Sequence, residues 1–317
     1  MSRRVVITGA SGFAGRHLTA ACRAAGEEVV ALSRSGRVPG ATALDLLDAE
    51  ATRAAVGAAA PDVVYHLAAL AHVGRSWSDP RATLAHNQAM TLNVLEAIRS
   101  EAPGAVVVAV SSGEIYGPPS FLPVDEAAEL RPQNPYAVSK AAGDLLAGFY
   151  ADAHGLRVVR ARAFNHAGPG QPALYALASF ARQVAEGIEA GDDPIRVMTG
   201  NPGSRRDFTD VRDVVRAYRR LAAAGESGPV NVCSGHSVSA RELVHALGRV
   251  TGVATAQELD AKLVRAHEVA EIRGSAARLQ ALTGWEPEIA LETTLADTVA
   301  WWREEIRAGR AGDRVHE

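Results

Sequence analysis

The chain has 317 residues, 47% of them hydrophobic and 22% charged, and a formal net charge of −3 at pH 7. This composition can bury a sizeable core and excludes a disordered chain, and the balance of charge gives no electrostatic support for binding nucleic acid or a membrane surface. Cys22 and Cys233 form neither a metal-ligand spacing nor a disulfide framework; with no secretory segment and no bilayer-length apolar run, a cytoplasmic protein is expected.

Arg4–Thr8 is a β-branched run ending at a glycine turn, and Phe13–Ala25 carries alanine and leucine at helical spacing up to Gly26. Glu28–Leu32 and Val63–Leu67 read as the next strands. A long helical pattern follows from about Arg81 to Arg99, stopped by Pro103-Gly104. Ala105–Val110 is almost wholly apolar, the pattern of a strand buried on both faces. A helix from about Tyr136 to His154 and a strand Arg157–Arg160 complete the alternation. Strands separated by helix-length segments imply βαβ crossovers and a parallel sheet. After Phe164, loop signals at Gly168–Pro172 and Gly200–Gly203 interleave with helical stretches at 175–189, 210–224 and 239–251, and Leu291–Arg307 closes the pattern. The predicted fold is α/β: a Rossmann-like, doubly wound parallel sheet in residues 1–165, with later returns to it, and a smaller substrate-binding lobe mainly in 166–317.

Gly9, Gly12 and Gly15 punctuate the turn between the first strand and the first helix. Glycines so placed allow a tight turn and a close approach of backbone to a pyrophosphate, so Gly9, Ser11, Gly12, Phe13 and Gly15 are candidate cofactor contacts. The second strand ends in Ser33 and Arg34, with Arg37 nearby, where an NAD site usually has a carboxylate. A hydroxyl and a guanidinium suit a 2′-phosphate, which predicts NADP(H); Asp45 and Leu46 are candidates to flank the adenine.

Lys140 is one of two lysines among 33 basic residues, the other being Lys262. It stands four residues after Tyr136, one turn along the same helix face. An ammonium there favours a phenolate and brings a tyrosine toward acid–base use near neutral pH. Ser112 follows the apolar strand, at the edge where open α/β sheets place ligands, and can orient a substrate carbonyl. No histidine pair has metal-ligand spacing, so no metal is expected.

These residues, with His66-Leu67-Ala68-Ala69, Asn87 and Arg205–Asp210, resemble the extended short-chain dehydrogenase/reductases that act on nucleotide sugars. Phe164–Gln171, Asn231–Gly235, Arg273–Ser275 and Thr283–Pro287 are most similar to the GDP-6-deoxy-4-ketohexose reductases that form GDP-D-rhamnose; GDP-mannose 4,6-dehydratases share several of them. The resemblance implies that Tyr136 is the general acid, that Lys140 binds the nicotinamide ribose and tunes Tyr136, and that Ser112 holds the sugar carbonyl. It implies further cofactor contacts from Leu67, Ala68, Ala69, Asn87 and Ala163. Asn165, Arg206 and Arg265 would meet the diphosphate, Glu268 the nucleoside ribose, and Phe180 and Gln183 the base. His66 would be a hydrogen-bonded strand-end residue, and His72 would touch the sugar. The dehydratases resemble Ser-Thr-Ser-Glu where this chain has Ser111-Ser112-Gly113-Glu114, so Glu114 leaves open a dehydratase base. The expected activity is NADPH-dependent reduction of a GDP-4-keto-6-deoxyhexose at C4. A dehydratase, another nucleotide-sugar epimerase or reductase, and a non-catalytic NADP-binding sensor are the alternatives. The helices at about 81–101 and 136–154 resemble a homodimer interface.

Overall fold

The computed structural model describes residues 2–36, 39–264 and 269–312. Six strands are laid down first: β1 (Arg4–Thr8), β2 (Glu28–Ser33), β3 (Ala41–Ala43), β4 (Val63–His66), β5 (Val106–Ser112) and β6 (Arg157–Ala163). The chain then forms β7 (Asn165–Ala167), β8 (Ile195–Thr199) and β9 (Arg205–Asp210) elsewhere before β10 (Gly228–Val232) returns beside β6. The resulting seven-stranded sheet has the order β10-β6-β5-β4-β1-β2-β3, and every pair is parallel. Val5, Val6 and Ile7 of β1 and Val63, Val64 and Tyr65 of β4 are fully buried, as in a sheet covered on both faces.

Helices α1 (Phe13–Ala24), α2 (Ala49–Ala59), α3 (Val73–Ser78), α4 (Pro80–Glu101) and α5 (Pro135–His154) connect the first six strands. Their starts are written locally. Asp48, Asp79 and Asn134 each accept a backbone N–H of the following first turn, and Pro80 and Pro135 occupy first-turn positions where no N–H is needed. Gly155, left-handed at φ 66°, ends α5. The helix Ala49–Ala59 was not among those expected; its alanines give little contrast between faces, and the Asp48 cap is the local signal for it.

Beyond β6, α6 (Ala176–Ala190) begins the second lobe, and α7 (Val211–Ala224) returns to pack on α1. Thus Val211, Val214 and Tyr218 share one core with Ile7, Leu18 and Val108 on one sheet face, while Val94, Ile98 and Tyr150 fill the other. The second lobe adds β11 (Ser237–Ser239), α8 (Ala240–Thr251), β12 (Thr255–Leu259), β13 (Glu271–Ile272) and α10 (Leu291–Arg307), whereas α9 (Ala277–Thr283) packs on α7 and β10 beside the large sheet. The core of the second lobe joins α6, α8 and α10 around Phe180, Leu247 and Trp302. β9 pairs with β7, β11 and β13, and β8 pairs with β12. β5 runs two residues beyond the predicted Val110, so Ser112 closes the strand directly opposite Ala163 of β6.

Candidate active site

The parallel strands bring their C-terminal ends to one edge, where Gly9, Ser33, His66, Ser112 and Ala163 lie at or just beyond them. Gly9 has φ +69°, and a Cβ there would stand 2.7 Å from the Ala68 nitrogen; on Gly15 it would stand 2.1 Å from the Gly9 carbonyl oxygen. Neither position tolerates a side chain. Gly12 precedes α1 with no side-chain cap, so the first N–H groups of the helix open toward the turn. That is the cradle a pyrophosphate requires. Arg16 ties the turn down by donating to the carbonyls of Ser11 (2.9 Å) and Gly170 (3.0 Å). The Ser33 hydroxyl accepts from the Gly36 nitrogen, and Arg34 is exposed at the end of β2. Leu46 is buried, and the exposed Asp45 accepts from the Leu47 nitrogen. The donors at the strand end suit a phosphorylated ribose. Arg37 lies outside the described residues.

Tyr136 and Lys140 stand one turn apart on α5. Burial pushes the Tyr136 phenol above its ordinary range, and the neighbouring Ser112 hydroxyl opposes that rise. The Ser112 oxygen also accepts from the Glu114 nitrogen at 3.2 Å. The Lys140 ammonium donates to the Val110 carbonyl of β5. Burial lowers Lys140 to about 8, with the Asp144 carboxylate working against the fall.

His66 stands 2.9 Å from the Thr8 hydroxyl through Nδ1 and 3.3 Å from the Thr91 hydroxyl through Nε2. Since Thr91 donates to the Asn87 carbonyl, it accepts from Nε2, which places the ring hydrogen there. Burial, with the Lys140 charge, pushes His66 down to about 3, so it stays neutral. The Asn87 side chain accepts from the Leu70 nitrogen (2.8 Å) and donates to Ser139 (2.9 Å), fastening the turn that holds Leu67, Ala68 and Ala69 against α5.

Next to Ser112, a cleft is lined by Glu114, Ala163, Phe164, Asn165, Arg206 and Asp207, among others. Arg206 is fixed by donating from Nη1 to the Val269 and Arg205 carbonyls, each at 2.8 Å. Asp207 of β9 accepts from the nitrogens of Ser234, Gly235 and Gly274, binding the loop after β10 and the segment after β13 to its strand. Glu114 accepts from the Asn134 amide at 3.4 Å. His72 caps α3, reaches the Leu174 carbonyl at 3.4 Å and meets the Tyr175 ring edge-on.

Of the two predicted base contacts, Phe180 is buried in the core of the second lobe, and the half-buried Gln183 clasps both the N–H and the C=O of Met198 on β8. The predicted contacts Arg265 and Glu268 lie outside the described residues. Among the described residues, no group of three or more His, Cys, Asp or Glu could hold a metal ion, and no helix is long and apolar enough to cross a membrane.

The sequence profile of the NAD dependent epimerase/dehydratase family matches residues 5–233. The chain belongs to that family. Among its relatives, a GDP-6-deoxy-D-mannose reductase of Pseudomonas aeruginosa is 38% identical over 310 residues, spanning 97% of this chain and 99% of the relative. A UDP-glucose 4-epimerase of Mycolicibacterium smegmatis is 30% identical, over 95% of this chain and 98% of that protein. The structure of RMD from Pseudomonas aeruginosa complexed with NADPH superposes with a TM-score of 0.85 at 36% identity, covering 96% of this chain and all of the other. The UDP-glucose 4-epimerase of Thermus thermophilus in complex with NAD follows at 0.83 and 31%, covering 95% and 99%.

Two side chains beside this family member's site escaped the sequence reading: Asp144, one turn beyond Lys140, and Arg162 on β6. A signal existed for each. Asp144 continues the four-residue spacing of Tyr136 and Lys140, and Arg160 and Arg162 lie two apart among the valines and alanines of β6, where an unpaired charge would be costly.

Proposed function

We propose that the protein reduces the C4 keto group of a GDP-4-keto-6-deoxyhexose with NADPH, giving a product of the GDP-D-rhamnose type. The observation that carries this reading is the 38% identity to a GDP-6-deoxy-D-mannose reductase over nearly the full length of both chains. NADPH would be held by the Gly9–Gly15 turn, Ser33 and Arg34, and would supply the hydride. Burial keeps the Tyr136 phenol protonated at working pH, which is the form a general acid needs. Tyr136 gives its proton to the oxygen at C4 while the Ser112 hydroxyl hydrogen-bonds the same oxygen. The Lys140 ammonium, one turn away, stabilises the phenolate left behind. Arg206 and Asn165, side by side in the cleft, meet the substrate diphosphate.

Glu114 favours a second reading. Its carboxylate lines the same cleft, where a 4,6-dehydratase needs a base for the C5 proton. Nicotinamide absorbance, followed after mixing protein and NADPH with GDP-4-keto-6-deoxymannose or with GDP-mannose alone, separates the two. NADPH loss with the keto sugar only supports the reductase. Conversion of GDP-mannose to the keto sugar without net NADPH loss overturns it in favour of the dehydratase.

The reading extends to a homodimer built on α4 and α5. Leu92, Val138, Leu145 and Phe149 are exposed there, and the last three recur at helical spacing along one side of α5. Both cysteines are free and buried, which fits a reducing cytoplasm.

A further inference from the structure

Asp144 has a carboxylate with no exposed surface, and it lines the same small cleft as Lys140, His66, Thr91 and Ser111. Two arginines of β6 hold it. Arg162 presents Nε at 3.0 Å to one carboxylate oxygen and Nη2 at 2.9 Å to the other, and Arg160 adds Nη1 at 3.1 Å. Arg162 is itself buried and immobilised, since its Nη1 donates to the Tyr116 hydroxyl at 2.9 Å and to the Glu126 carbonyl at 3.2 Å. The Tyr116 hydroxyl in turn donates to the Asn231 amide oxygen at 2.7 Å. A carboxylate clamped by a planar fork has no freedom to swing away, so its charge acts on Lys140 from a set position.

We propose that Asp144, oriented by Arg160 and Arg162, is a positioning residue that keeps Lys140 in its ammonium form beside Tyr136. This rests on the reading of Tyr136 and Lys140 as the reacting pair. The groups facing Lys140 leave Asp144 as the source of negative charge. β4 contributes the neutral His66, β5 the Val110 carbonyl and Ser111, and α4 the uncharged Asn87 and Thr91. Tyr136 on α5 is protonated, and β6 brings cations through Arg160 and Arg162. Burial disfavours the charged lysine, and Asp144 is the group that resists it.

The chain has two lysines, so lysine labelled with ¹³C at Cε gives two resonances, and Lys262→Arg leaves that of Lys140. Asp144→Asn should lower the Lys140 titration midpoint by about 1 pH unit or more, and Asp144→Glu should restore much of it. Arg160→Gln removes one cation from the carboxylate while keeping the Arg162 fork, and should raise the midpoint. The alkaline limb of kcat/KM for ketoreduction should follow in both directions. Unmoved midpoints in Asp144→Asn and Arg160→Gln, with activity lowered evenly at every pH, would overturn the proposal and leave Asp144 a brace for α5. Should Asp144→Asn fail to fold, absence of the upward shift in Arg160→Gln overturns it alone. The titrations need no substrate: midpoints that move as expected without any keto-sugar reduction would sink the reductase reading and uphold the role of Asp144 toward Lys140.

Discussion

Phe13 and His166 stack face to face, with ring centroids 5.9 Å apart and planes 7° from parallel. Phe13 opens the helix after the glycine turn, and His166 lies on β7 beside Asn165, so the contact joins the cofactor side of the cleft to the substrate side. His17 reinforces it, 2.9 Å from the Pro169 carbonyl. An aromatic pair of this kind contributes about 0.5–1.5 kcal/mol, so Phe13→Ala should raise the KM for the sugar nucleotide roughly 2- to 10-fold at saturating NADPH. Steady-state kinetics checks this. A variant with weakened NADPH binding and an unchanged sugar KM would show that the stack does not couple the two sides.

His66 predicts how stability depends on acid. Its folded pKa is about 3 against an ordinary 6.5, so the unfolded chain binds the proton first. Stability is therefore fully present above about 6.5 and declines as pH falls toward 3. Burial lowers His17 and His166 as well, and they add to the same slope. His66→Asn should remove about one proton from the pH dependence of unfolding between roughly pH 6.5 and 4.5, read from denaturation midpoints across that window. An unchanged slope would mean that His66 is not buried neutral.

Arg34 should separate the two nicotinamide cofactors. A charge-assisted hydrogen bond to a phosphate contributes about 1.5–3 kcal/mol, so Arg34→Glu should weaken NADPH roughly 10- to 100-fold and leave NADH within a few-fold. Fluorescence titration of both cofactors is the measurement. Equal losses would remove Arg34 from the 2′-phosphate site.

The α5 face bears on assembly. Leu145 is 61% exposed and Phe149 56% exposed on neighbouring turns of the helix. Light scattering at micromolar concentration should give a dimer for the native chain and a monomer for Leu145→Glu. A charge in a packed apolar interface has no partner, whereas on an open surface it is harmless. A monomeric native chain would refute the interface.

The backbone plan was largely legible because its signals are local. The glycine turn and the apolar Val106–Val108 run each lie within a few residues of what they control. Tyr136 and Lys140 follow directly from helical periodicity. The second lobe was less readable. β7 and β13 are short, and their partner β9 comes from a distant part of the chain, so no alternation of polarity marks them. Gln183 illustrates what is hidden: no local signal shows that its amide holds the backbone of Met198, fifteen residues on.

Periodicity and turn chemistry were enough to place each candidate side chain on a strand end, a helix face or a loop, because those preferences act between near neighbours. Burial and pairing across the fold set their surroundings. The chain folds Lys140 under β5 until its ammonium meets the Val110 carbonyl, and β6 brings Arg162 to Asp144 on α5. Glu114, Asn165 and Arg206 become one cleft only when three separate elements converge. Electrostatics and desolvation depend on distance in space, and the tertiary packing therefore decided which charges act on the tyrosine's surroundings.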